Sequence, residues 1–398
     1  MEIQKPTNDE KNFVQQHLHE DVSALALRLG RFQHLNASLV LRQVAGYQVL
    51  VRKVPTWYEI ADLIFPDSLP LEQCSSEATA RYKASLLPPD IQRIADLTGG
   101  FGVDFAFMAT GKSKAVYMER REDLVAVAQH NFNALGLHQA EVFHGDSPSL
   151  LHETFDLLFL DPARRDAKGG KVVALSDCEP DLTVLKSKLF EYAPLLLVKL
   201  SPMLDISLAL KQLPETTEVH VVSVDNECKE LLFFLSAESV TDEPRIYCVN
   251  LRNNAAAQYV EFTKSQEQVA VCHLAETPQK YLYEPNASIL KAGAFSILTQ
   301  TYNLYKLHPN SHLYTSETLI KDFPGRAFVV EAVFPVHASA LKTHLADLNK
   351  ANISTRNFPE TVAQLRKKTK LKDGGDTYLF ATTLKDERKV FIRCVKQY

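Results

Sequence analysis

The run Ile94-Ala95-Asp96-Leu97-Thr98-Gly99-Gly100-Phe101-Gly102-Val103-Asp104 constrains this chain more than any other stretch. An apolar segment ending in Asp96 reads as a buried strand, the glycines as a tight turn, and Val103–Ala109 as the start of a helix. Gly100 and Gly102 carry no side chain, so a ligand can lie against their backbone, and the helix N-terminus favours its negative group. Strand, turn and helix together predict a ligand cradle.

Beyond the cradle the chain keeps the same alternation. Strands are expected at 91–97, 115–118, 141–144, 155–160, 195–200, 219–224 and 231–235, with helical segments between most of them. That order predicts a doubly wound α/β, Rossmann-like sheet of seven strands covered on both faces. Only residues 225–230 join the last two strands, too few for a parallel crossover, so that pair is a hairpin and one edge strand runs antiparallel. At 398 residues the chain is long for one core. Residues 1–70 read as a helical domain, 71–240 as the sheet domain, 241–322 as a connecting β/α segment, and 323–398 as a small α+β domain. Within the last, strands are expected at 327–334, 378–382 and 389–395, a strand or loop at 353–358, and helices at 338–349 and 360–365.

Four acidic features fall where one nucleoside-bearing ligand needs them. Asp96 opens the glycine turn. Glu119 ends the next strand, about 20 residues on, where an acid accepts hydrogen bonds from both ribose hydroxyls. Asp146, after the third strand, can accept from an adenine amino group, and Asp161-Pro162-Ala163-Arg164 ends the fourth at the mouth of the crevice. A nicotinamide fingerprint would need a third glycine three residues after Gly102, where Phe105 stands. An acid ending the first strand and a hairpin ending the sheet fit S-adenosylmethionine better than a dinucleotide.

The run from Asp96 to Leu235 resembles a class I S-adenosylmethionine-dependent methyltransferase of the RNA-modifying kind: DLTGGFGVD, YMERREDLVAVAQHNFNALGL, GD and FLDPAR stand in order. The whole chain resembles a bacterial group of uncharacterised methyltransferases with a C-terminal THUMP-like domain. The resemblance implies cofactor contacts at Asp96, Thr98, Gly100, Gly102, Glu119 and Asp146, with Ser76, Thr79 and Lys83 of the preceding helix lining the cofactor end. It also places methyl transfer at Asp161, Pro162 and Arg164. In aminomethylating relatives an Asp or Asn followed by Pro-Pro-aromatic clamps an exocyclic amine. Here the acid and first proline are present and the aromatic is missing, so Arg164 or Arg165 is expected to stack on a base or grip an anion. The polar, glycine-bearing residues 166–171 are expected to close over a substrate.

Pyrimidine C5 chemistry needs a cysteine nucleophile at a cleft-facing strand end. The fifth strand ends Val198-Lys199-Leu200-Ser201-Pro202, so nitrogen is the expected acceptor. The six cysteines are scattered without a C-x-x-C pair, and neither a metal site nor a disulfide framework is expected. His130, His144 and His152 read as structural, although His144 neighbours the adenine position; Asn131 reads as a packing or capping residue.

Net charge is −4, so attraction to nucleic acid must come from a local patch. From residue 323 onward fourteen Lys and Arg face seven Asp and Glu, densest at Arg366, Lys367, Lys368, Lys370 and Lys372, with Arg356 just ahead. Such a strip meets backbone phosphates, and the THUMP-like resemblance implies structured RNA, tRNA especially, as the partner. Without a signal-peptide core or a bilayer-length apolar run, the expected setting is the cytoplasm. The reading is an RNA base-nitrogen methyltransferase. A small-molecule or protein methyltransferase, or an RNA-binding protein with a vestigial cofactor fold, stands as the alternative, and the oligomeric state stays open.

Overall fold

The structure, a computed structural model, describes residues 4–66, 68–164, 175–238, 243–253 and 255–397, the side chains of 68, 69 and 164 excepted. The strands of the first sheet are β1 (Arg93–Asp96), β2 (Lys114–Glu119), β3 (Ala140–His144), β4 (Leu157–Leu160), β5 (Leu195–Leu200), β6 (Thr216–Val224), β7 (Glu227–Ser236), β8 (Arg245–Arg252) and β9 (Ala255–Phe262). Their order is β9-β8-β6-β7-β5-β4-β1-β2-β3. β1 pairs in parallel with β2 and β4, β2 with β3, and β4 with β5, so these C-terminal ends share one edge. All four residues of β4 are buried, as expected of an apolar strand with neighbours on both sides and helices on its faces.

The expected hairpin is present, and its place corrects the expectation. Asp225 and Asn226, both at positive φ, make a two-residue turn between β6 and β7. The reversed strand β7 lies between β5 and β6 rather than at an edge, and the sheet continues through β8 and β9. The reason is visible in β7 itself. Glu230 to Leu235 are buried without alternation, which suits an interior strand covered on two faces.

By packing, the chain divides into two units, residues 1–217 with 232–240, and residues 218–231 with 241–398. The first unit begins with helices α1 (Asn8–Gln16), α2 (Val22–Leu29) and α3 (Ala37–Lys53), each with a side-chain cap, from Thr7, Asp21 and Asn36. α3 buries Val40, Val44, Tyr47 and Leu50, one stripe at helical spacing. Trp57 is 4 % exposed and stacks on Phe107 with 6.2 Å between ring centroids. Farther on are α4 (Glu77–Ser85), α5 (Val103–Ala109), α6 (Glu122–Ala134), α7 (Leu182–Leu189) and α8 (Ile206–Gln212). The Asn131 side chain of α6 accepts from Ile64 N at 2.9 Å and donates to Ile64 O at 2.8 Å, a packing role.

The second unit holds a seven-stranded sheet made of β10 (Tyr281–Pro285), β11 (Tyr305–Lys306), β12 (Tyr314–Ser316), β13 (Gly325–Pro335), β14 (Asn352–Arg356), β15 (Thr377–Thr383) and β16 (Lys389–Lys396). The order is β11-β12-β10-β13-β16-β15-β14, antiparallel except for β14 with β15. Gly325 begins β13 because a Cβ there would stand 2.1 Å from the Glu284 carbonyl oxygen. α9 (Ala338–His344) and α10 (Val362–Thr369) close one core around Phe334, Leu365, Leu379 and Phe391. The expected strands and both helices of this region are present, shifted by a few residues at their ends. No helix among the described residues is long and apolar enough to cross a membrane.

Candidate active site

The parallel order β3-β2-β1-β4-β5 brings the ends of all five strands to a cavity of about 700 Å³ inside the first unit. Asp96, Gly100, Gly102, Glu119, Asp146 and Asp161 all line it. The cradle forms as the sequence requires. Gly100 and Gly102 have φ of +62° and +86°, and a Cβ on Gly102 would stand 2.8 Å from the Phe132 ring. Glu119 Oε2 accepts the Gly100 N–H at 2.8 Å and Oε1 accepts Arg121 N–H at 2.9 Å, so the carboxylate is fixed in the cavity wall. Each oxygen keeps a lone pair for a further donor. The Asp146 carboxylate is exposed in the cavity and makes no hydrogen bond among the described residues.

Thr98 clips the ends of β1 and β4 together. Its N–H and hydroxyl both donate to Asp96 Oδ1, at 2.9 and 3.3 Å, and its hydroxyl oxygen accepts Asp161 N–H at 2.7 Å. Asp96 is 2 % exposed, and burial pushes its carboxyl up to about 8 against the Thr98 hydrogen bond, with Asp104 and Asp161 pushing the same way. The acid that opens the cradle is therefore mostly protonated at neutral pH.

One residue that the sequence reading passed over stands at the centre. Lys199, at the end of β5, donates to Asp161 Oδ2 at 2.6 Å and lies 3.5 Å from Asp104 Oδ2. Asp104 in turn accepts from the Ser75 hydroxyl at 2.7 Å, with Lys83 Nζ 3.1 Å from its other oxygen. Burial works to raise the Asp104 carboxyl, and Lys83 and Lys199 outweigh it, holding the group below the usual range. The available signal was a lone cation in an otherwise apolar strand, Leu-Leu-Leu-Val-Lys-Leu.

Ser76 caps α4 by accepting Thr79 N–H, while Thr79 and Lys83 are buried and do not line the cavity; Gln73, Cys74 and Ser75 do. Burial pushes the Cys74 thiol up to about 11, so it offers no thiolate at neutral pH. Pro162 is buried and Ala163–Arg164 pairs with Cys178–Glu179. The Arg164 side chain, Arg165 and residues 166–171 lie outside the described residues. His144 is anchored to the Arg120 carbonyl at 3.0 Å and does not line the cavity. Among the described residues no cluster of metal-ligating side chains forms, and no disulfide.

In the second unit the basic residues divide. Arg356 is ion-paired with Glu284 at 2.6 Å, Arg366 with Asp373, and Lys368 with Glu360 at 2.5 Å. Lys367, Lys370 and Lys372 are exposed, without an ion pair among the described residues.

A ferredoxin-like domain profile matches residues 281–324 and a THUMP domain-like profile residues 325–396. The crystal structure of the "putative methyltransferase" from Porphyromonas gingivalis W83 is similar over 98 % of both chains, with 33 % identity and a TM-score of 0.87. A "putative class I S-adenosylmethionine-dependent methyltransferase" from Listeria monocytogenes is matched over 62 % of this chain and 94 % of its own, at 11 % identity and a TM-score of 0.36. A 16S rRNA N2 methyltransferase from Thermus thermophilus, solved with AdoMet and guanosine, is matched over 44 % of this chain and 43 % of its own, at 17 % identity and a TM-score of 0.33. No curated protein matches.

Proposed function

We propose, because this chain belongs to the class I S-adenosylmethionine-dependent methyltransferase family that carries a C-terminal THUMP-like domain, that it methylates a base nitrogen of RNA, with tRNA the favoured substrate. The observation that carries the reading is the convergence of Glu119, Asp146 and Asp161 on one cavity beside the Gly100 backbone. The set of acceptors suits the cofactor. Glu119 has lone pairs left for two ribose hydroxyls, Asp146 has a carboxylate for the adenine amino group, and Asp96 would face the cofactor's ammonium. The cofactor's contribution when bound is an activated methyl group.

This chain's own part is to hold the acceptor in line. Asp161 Oδ2 is taken by Lys199, which leaves Oδ1 to accept an N–H of the target amine and turn its lone pair toward the methyl. Accepting that methyl would cost the nitrogen one proton, which solvent reaching the cavity beside Asp161 would take. The exposed Lys367, Lys370 and Lys372 would hold RNA phosphates while a base is turned out of its stack. We place this work in the cytoplasm.

Incubation with labelled S-adenosylmethionine and total bacterial RNA tests the proposal, with label expected in tRNA nucleosides. Label confined to protein or small molecules, from an enzyme that binds the cofactor, would refute it. That second outcome has its own support in the missing aromatic after Pro162.

A further inference from the structure

The second unit contains a group of charges that the methyl-transfer reading does not use. Glu284, on β10, is 2 % exposed and sits directly across from Arg326 of β13. Arg326 donates to Glu284 Oε2 through Nε at 2.9 Å and also through Nη2, and Arg356, at the end of β14, donates to Oε1 at 2.6 Å. Two guanidinium groups thus share one buried carboxylate, leaving one positive charge over. Their side chains remain 34 % and 35 % exposed, so water and solutes reach them.

Both arginines keep donors unspent. A guanidinium carries five N–H bonds. Arg356 gives one to Glu284 and one to the Thr355 carbonyl at 3.1 Å, and its Nε is buried without a partner. The Arg326 guanidinium carbon lies 5.6 Å from the Phe328 ring centroid and 5.9 Å from that of Tyr378, so aromatic faces flank it. Around both arginines stand a neutral ring and a further cation, the latter also felt by Glu267. His312 stacks on Phe295 at 3.7 Å with its Nδ1 buried and unpartnered, and Lys306 lies over the same ring at 5.1 Å. Burial, then the charges of Lys306 and Arg356, push the His312 imidazole down to about 4, so it is neutral at physiological pH in a positive field.

A pair of half-exposed arginines, aimed by a buried carboxylate and in excess of it, suits an oxyanion that presents two oxygens to each guanidinium, as phosphate does. We propose that Arg326 and Arg356, set on Glu284, form a binding fork for a phosphate group. The phosphate is that of an RNA backbone if the RNA reading above holds, or that of a free nucleotide. The fork rests on that reading only for the phosphate's source, and inorganic phosphate tests it alone.

Full-length protein is titrated with inorganic phosphate while the ring resonances of His312 are followed by NMR. The expected result is a saturable shift and a rise in the His312 pKa, since a bound anion offsets the field of Arg356. Arg356→Lys keeps the charge and loses the fork, and should weaken phosphate binding about tenfold or more at an unchanged Tm. Competition by a short RNA at lower concentration than a nucleoside monophosphate assigns the site to RNA; the reverse order assigns it to a nucleotide. A His312 signal indifferent to phosphate in the wild type overturns the proposal without recourse to any variant, as does equal affinity in Arg356→Lys.

Discussion

The proposed placement of Asp96 against the cofactor's ammonium predicts that cofactor binding answers to pH. The Asp96 carboxyl is pushed up to about 8 because β1 buries it, with Asp104 and Asp161 adding to the rise and the Thr98 hydrogen bonds opposing it. An ammonium group is held by the ionised form, and at pH 6 that form is only about 1 % of the protein. Apparent Kd scales inversely with the competent fraction, so affinity for S-adenosylmethionine should rise about tenfold from pH 6 to pH 7. Calorimetric titration at each pH measures it. Asp96→Asn, neutral throughout, should bind with the weak affinity of the wild type at acid pH and with no slope. The same residue sets the sign of a stability effect. Its folded pKa exceeds its unfolded one, so the native state binds the extra proton, and stability falls as pH rises from the usual carboxylate range toward about 8. Without cofactor, Asp96→Asn should therefore gain thermal stability over the wild type as pH rises toward 8. A pH-independent wild-type Kd, or an equal slope in Asp96→Asn, would refute the reasoning.

Three further outcomes rest on particular contacts. Lys199→Met removes the donor that fixes Asp161, and methyl transfer to RNA should fall about 10- to 100-fold, the worth of one charged hydrogen bond, with cofactor Kd little changed. Gly102→Ala forces a Cβ into a residue at φ +86° and against Phe132, and should cost about 1–3 kcal/mol by denaturant unfolding. Replacing Lys367, Lys370 and Lys372 together by Ala should reduce the slope of log affinity for RNA against log salt by about 2 to 3, read by filter binding over a salt series.

The cradle was legible because its chemistry is local. Gly100 and Gly102 announce positive φ within a few residues of the strand that ends in Asp96, Glu119 ends a recognisable apolar run, and Asp146 follows the next short strand. Contacts between distant segments were not legible. Lys199 meets Asp161 across 38 residues, and Arg356 meets Glu284 across 72, with nothing in either local pattern to name the partner. The helix before the cradle shows the same limit. Its periodicity places Ser76, Thr79 and Lys83 on a helix, but only packing on α5 decides that Lys83 turns inward to Asp104. The short link between β6 and β7 announced a hairpin, while the place of β7 inside the sheet depends on which faces become covered.

The proposed reaction rests on Glu119 and Asp146 holding one adenosine between them. Calorimetry with S-adenosylmethionine on the wild type, Glu119→Ala and Asp146→Ala tests this most directly. Saturable binding by the wild type, weakened at least about tenfold in each variant, is predicted from the loss of a charge-assisted hydrogen bond. No binding by the wild type, or full affinity in both variants, would contradict it.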